Sequence, residues 1–107
     1  MESSDTRERR SFVRVLYGPA QRPRLAVGGL DFEIADINQS GLRLHSPGSM
    51  TFPSPFLGTV AFCDGQTIEI QGRVEWHQNE QIGLSLDRLI PERIIEKEQR
   101  YAILTQG

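Results

Sequence analysis

The chain has one cysteine, Cys63, and one lysine, Lys97, in 107 residues. A single cysteine excludes an internal disulfide and favours a reducing compartment. No apolar run approaches the length needed to span a bilayer, and the first ten residues are charged and polar, so the apolar centre of a signal peptide is missing. These absences predict a soluble cytoplasmic protein with no membrane insertion. His45 and His77 have no cysteine or carboxylate company at metal-ligand spacing, and no metal site is expected. No Ser/His/Asp arrangement or glycine-rich phosphate loop argues for an enzyme. The net charge of -2 gives no global reason to bind a nucleic-acid polymer, and Glu69 and Glu75 count against it.

What is present is arginine, at eleven of the twelve basic positions. Four of these crowd into "RERRSFVR", Arg7 to Arg14, immediately before the first apolar run. The planar guanidinium fork suits phosphates and purine edges and stacks on rings. Alone, Arg9 and Arg10 read equally as a solvated tail, and Arg14 as one half of a surface ion pair of little value.

The length suits one domain. Beyond Met1, residues 1–10 lack apolar side chains and are expected to form a flexible arm, with residues 11–107 as the folded unit. Leu25 to Val27 predicts a strand and Gly28-Gly29 a turn. Phe32, Ile34, Leu42 and Leu44 alternate with polar neighbours around "DINQSG". "GTVAFC" and "QTIEIQGRVEWH" flank Asp64-Gly65, which predicts a hairpin with a two-residue type I′ turn. Strict alternation puts Ile68, Ile70, Val74 and Trp76 on one face of that second strand. "IGLSL" continues the pattern. "PERIIEKEQRYAIL" has helix formers, a proline suited to a first turn and an apolar stripe through Ile94, Ile95, Tyr101 and Ala102, predicting a helix over about residues 90–105. Six short strands and one helix fit a small antiparallel β-barrel with a C-terminal α-helix, which leaves no open sheet edge. The segment Met50–Leu57 holds Phe52, Phe56 and Leu57 between prolines and reads either as a partner surface or as core folded over the barrel end.

Two motifs carry a resemblance. Arg10-Ser11-Phe12-Val13-Arg14, with Arg9 before it, is an arginine–three residues–arginine motif. After a gap of twenty-one residues, Asp36-Ile37-Asn38-Gln39-Ser40-Gly41 follows. In that order and spacing, and with "GRVEWHQNEQIGLSL" and the final helix further on, the chain from about Arg7 onward resembles the PilZ domain family of bacterial cyclic di-GMP receptors. The family's usual serine is Asn38 here, a larger residue that still donates and accepts hydrogen bonds.

The resemblance implies a non-catalytic receptor or adaptor for cyclic di-GMP, with no cofactor beyond that ligand, signalling to a separate effector protein. The alternative is a PilZ-like interaction module whose nucleotide binding is lost or weakened. Arg9, Arg10 and Arg14 would grip phosphates and guanine, and Asp36 and Asn38 would read the guanine edge. Gly41 would let backbone approach the ligand closely. Trp76 is a candidate stacking wall, with a core role at least as well supported by alternation, though a bulge near Gly72 would change its facing. Arg43, opposite in facing to Leu42 and Leu44, is expected to be exposed, with a minor role toward the ligand as the second reading. An arm drawn onto the barrel by ligand phosphates would then cover or expose a partner surface.

Overall fold

Gly28 and Gly29 both take positive φ, 59° and 85°, the backbone of a type I′ turn that a residue with a Cβ reaches only under strain. They join β2 (Arg24–Val27) to β3 (Leu30–Ile37) with Val27 opposite Leu30. The structure, a computed structural model, describes residues 13–46 and 51–106, with side chains as far as Ala102. The expected arm, residues 1–10, lies outside them, as does Met50.

The remaining strands are β1 (Val15–Leu16), β4 (Gly41–His45), β5 (Phe56–Ala61), β6 (Thr67–Gln78) and β7 (Gln81–Leu86). Six of them close a barrel in the order β3-β2-β5-β6-β7-β4, with β4 returning to β3, and every pairing is antiparallel. The expected six-stranded barrel is therefore the fold. The short β1 is an addition, paired with the second half of β3 through Val15–Ile37 and Leu16–Asp36. It lies end to end with β2 along one edge of β3. β6 is long enough to serve two neighbours, β5 with its first half and β7 with its second.

Alternation sends Leu25, Ile34, Leu44, Val60 and Ile82 into the barrel, where none has accessible surface. Each such side chain contributes roughly 1.5–3 kcal/mol relative to remaining exposed. Phe32, Phe52 and Phe56 plug one end in edge-to-face contacts with ring centroids 5.1 and 5.4 Å apart. The two readings of the segment Met50–Leu57 thus separate by residue: Phe52 and Phe56 are core, while Leu57 is 65% exposed.

The β5–β6 hairpin differs from expectation. Phe62 and Gln66 pair, the Gly65 N–H donates to the Phe62 carbonyl, and Gly65 alone has positive φ, 96°. The connection is a three-residue loop, Cys63-Asp64-Gly65, ending in a left-handed glycine, rather than a two-residue type I′ turn at Asp64-Gly65. A type I′ turn needs positive φ at both central residues, and an aspartate meets that condition less readily than the glycine pair 28–29 does.

The helix α1 (Glu92–Gln106) packs most closely against β1. Ile94, Ile95 and Ala102 are buried as expected, but the same stripe also buries Glu98, 2% exposed. The Tyr17 hydroxyl donates to Glu98 Oε1 at 2.6 Å, and Lys97 Nζ lies 3.3 Å from Glu98 Oε2 and 2.9 Å from Asp64 Oδ2. Burial first, and then the neighbouring carboxylate, pushes the Tyr17 phenol well above its ordinary pKa, so it stays a donor. Helix α1 is thereby pinned to the end of β1 on one side and to the β5–β6 loop on the other. No helix among the described residues is long and apolar enough to cross a membrane.

Candidate functional site

Two β-bulges decide where the site is. In the β3–β4 pair, Ile34 faces Leu44, and the register then slips by one residue before Asp36. In an unbroken ladder Ala35 would face Arg43, and Asp36 would stand opposite Leu42, on the core face. With Ala35 as an extra residue, Asp36 stands opposite Arg43 on the outer face, and Ile37 and Leu42 return to the core. The β6–β7 pair repeats the device. Val74 faces Leu84, the register slips at Glu75, and Trp76 stands opposite Gly83. In strict alternation it would oppose the fully buried Ile82. A bulge inserts one residue, so every side chain beyond it changes face.

The result is one row across the outer surface of four strands. Asp36 pairs with Arg43, Arg43 with Gly83, and Gly83 with Trp76. A Cβ built on Gly83 would overlap the six-membered and pyrrole edges of the indole, so the ring lies over the bare glycine. Trp76 is 40% exposed and is a groove wall, not a core residue. The groove has a volume of about 260 Å³, and its lining includes Arg14, Asp36, Asn38, Gly41, Arg43 and Trp76.

Arg14, just before β1, is mostly exposed, with NH1 3.9 Å from Asp36 Oδ2. Its fork is therefore open to a second anion. Asp36 is buried and its Oδ2 accepts from Arg43 Nε at 2.6 Å, while Arg43 NH1 donates to Gln81 Oε1 at 3.0 Å. A buried carboxylate is tolerated where an opposite charge and a hydrogen bond replace water, and Arg43 supplies both.

Asn38 organises the turn itself. Its Oδ1 accepts the N–H groups of Ser40 at 3.0 Å and Gly41 at 2.8 Å, an Asx turn closing β3 onto β4. Its amide nitrogen has no protein partner among the described residues, so two donors remain. The segment leading to the helix holds this turn from outside: Leu86 N–H donates to the Ser40 carbonyl, and Gln39 exchanges two hydrogen bonds with the Ile90 backbone. Gly41 lines the groove, but its lack of a side chain is explained by β7, because a Cβ there would run into the Leu84 carbonyl oxygen.

The described residues expected at the site, Arg14, Asp36, Asn38, Gly41 and Trp76, are thus neighbours in one groove. Arg9 and Arg10 lie outside the described residues. Arg43, expected to be exposed with a minor ligand role as the second reading, is half-buried and is the main partner of Asp36. Its signal was present: counting outward from the Asn38–Gly41 turn pairs residue 37 with 42 and 36 with 43.

The family model of the PilZ domain matches residues 8–103 of the chain. No curated protein and no solved structure gives a significant match.

Proposed function

The chain belongs to the PilZ domain family, a family of non-catalytic cyclic di-GMP-binding domains, and on that premise we propose that it is a receptor for this dinucleotide that relays the signal to a separate protein. The observation that carries the proposal is the convergence of Arg14, Asp36, Asn38 and Trp76, from three separate places in the chain, on one groove.

Each has a chemical role suited to the ligand. The exposed Arg14 fork, with Arg9 and Arg10 ahead of it, meets phosphate oxygens or guanine O6 and N7. The Trp76 indole offers a face on which a guanine stacks. Asp36 Oδ1 accepts from a guanine N–H edge, and the Asn38 amide donates. A groove of about 260 Å³ falls below the range of roughly 300–1,000 Å³ usual for whole ligands. The groove holds part of the dinucleotide, and the arginine segment before β1 supplies the rest. The phosphates gather Arg9 and Arg10 beside Arg14, so the path of that segment, and the partner surface it covers or exposes, depends on ligand. Ordering costs are subtracted from binding, giving affinity on the order of micromolar or somewhat better. A reducing, cytoplasmic setting belongs to the same reading, since Cys63 is a free thiol.

Calorimetric titration with cyclic di-GMP, with GMP and cyclic GMP as controls, tests this on wild type and on Arg10→Ala/Arg14→Ala. Saturable, selective binding that the double variant loses is expected. Silence at millimolar nucleotide would replace the receptor with an interaction module of the same fold.

A further inference from the structure

We infer that Arg43 is a positioning residue for Asp36 in the groove; the inference rests on the receptor reading above. An arginine on the outer face of a strand ordinarily samples many rotamers in water. Arg43 is held from both flanking strands instead, by Nε to Asp36 Oδ2 at 2.6 Å on β3 and by NH1 to Gln81 Oε1 at 3.0 Å on β7. Two acceptors on opposite sides define the plane of the guanidinium.

The consequence falls on Asp36. A carboxylate rotates about its Cβ–Cγ bond unless one oxygen is held. Arg43 holds Oδ2, which leaves Oδ1 as the acceptor for an incoming base edge. The only other cation recorded against Asp36 among the described residues is Arg14, whose NH1 at 3.9 Å is beyond hydrogen-bonding distance. Asp36 is buried, so its charge must be compensated. Without Arg43, the nearest compensation is Arg14. That exchange would release the carboxylate from its fixed orientation and draw Arg14, which faces the same Oδ2, away from the phosphates. Arg43 therefore keeps the two functions of the groove, reading a base edge and gripping a phosphate, on separate side chains.

A double-mutant cycle on cyclic di-GMP affinity separates this role from direct ligand contact and from general folding. Arg43→Ala is expected to weaken binding about tenfold. In an Asp36→Ala background the same substitution is expected to change affinity by less than about twofold, because its route of action is gone. Arg43→Lys, which keeps the charge but not the planar two-sided bridge, is expected to fall between wild type and Arg43→Ala. Urea midpoints of every variant are read alongside, and if Arg43→Ala does not fold, Arg43→Lys and Gln81→Ala carry the cycle. Unchanged affinity in a folded Arg43→Ala overturns the inference and leaves the receptor reading standing. Additive effects of Arg43→Ala and Asp36→Ala also overturn it, by making Arg43 a direct ligand contact. A wild type that does not bind overturns the receptor reading before any substitution is made, and the inference with it.

Discussion

Gly83→Ala puts a single methyl group where the structure leaves room for a ring. The added Cβ would overlap Nε1, Cε2 and Cζ2 of Trp76. Relief through the backbone is costly, because Ile82 and Leu84 on either side of Gly83 are anchored in the core. Relief through the indole is easier, since Trp76 is half-exposed and can swing outward. The expected outcome is a folded barrel whose groove has lost a wall. Stacking of one base on an aromatic ring is worth about 1–3 kcal/mol, so cyclic di-GMP affinity should fall roughly 5- to 150-fold while the urea midpoint changes little. The chain contains one tryptophan, so fluorescence excited where only indole absorbs reports on this groove alone. The free variant should emit at longer wavelength than wild type, and the quench on adding cyclic di-GMP should shift to higher ligand concentration. An unchanged emission spectrum would refute the placement of the ring over Gly83. A displaced indole with wild-type affinity would refute the stacking role.

Two further outcomes test the framework behind the groove. Tyr17→Phe removes the 2.6 Å bond to the buried Glu98 and leaves one carboxylate oxygen without its donor, so the urea midpoint should drop by the equivalent of about 1.5–3 kcal/mol with an unchanged slope; a change under about 0.5 kcal/mol would mean that water replaces the phenol. Asp64 is held below its ordinary pKa first by Lys97 and then by the Gln66 N–H. A lowered folded value adds stability that is fully present above the unfolded value and lost as pH falls through the folded one. The gap in urea midpoint between wild type and Asp64→Asn should therefore be constant near neutrality and close only on the acid side of the ordinary aspartate range. A gap that persisted through full acid titration would assign it to another cause.

Much of the barrel was legible because strand alternation is a local property. Leu42 and Leu44, Ile82 and Leu84, and Leu25 and Val27 face inward as their polar neighbours require, and Gly28-Gly29 marks its own turn. The Asp64-Gly65 loop was legible as a hairpin but not in its length, since two-residue and three-residue connections share the same dipeptide and differ by which residue takes positive φ. The bulges at Ala35 and Glu75 were not legible. Nothing in either residue type demands an extra residue in the ladder, and a bulge exists only in relation to the partner strand. That is why alternation assigned Trp76 to the face it does not occupy. Glu98 was hidden for a related reason: on a helix wheel it is one more charge, and its burial is made tolerable by the phenol of Tyr17, eighty-one residues away in the chain, together with the neighbouring Lys97 ammonium.

The sequence by itself determined the kind of chemistry available: arginine forks ahead of the first strand, an Asp-x-Asn-x-x-Gly turn, and one indole near a strand end, on a chain whose periodicity admits a small closed barrel. Tertiary structure decided which of these meet. Two inserted residues turn Asp36 and Trp76 outward, Arg43 bridges β3 and β7 to hold the carboxylate, and Gly83 yields its space to the ring. Facing within a strand is set locally, but a change of face depends on register with another strand, and register is a property of the closed sheet rather than of any segment in it.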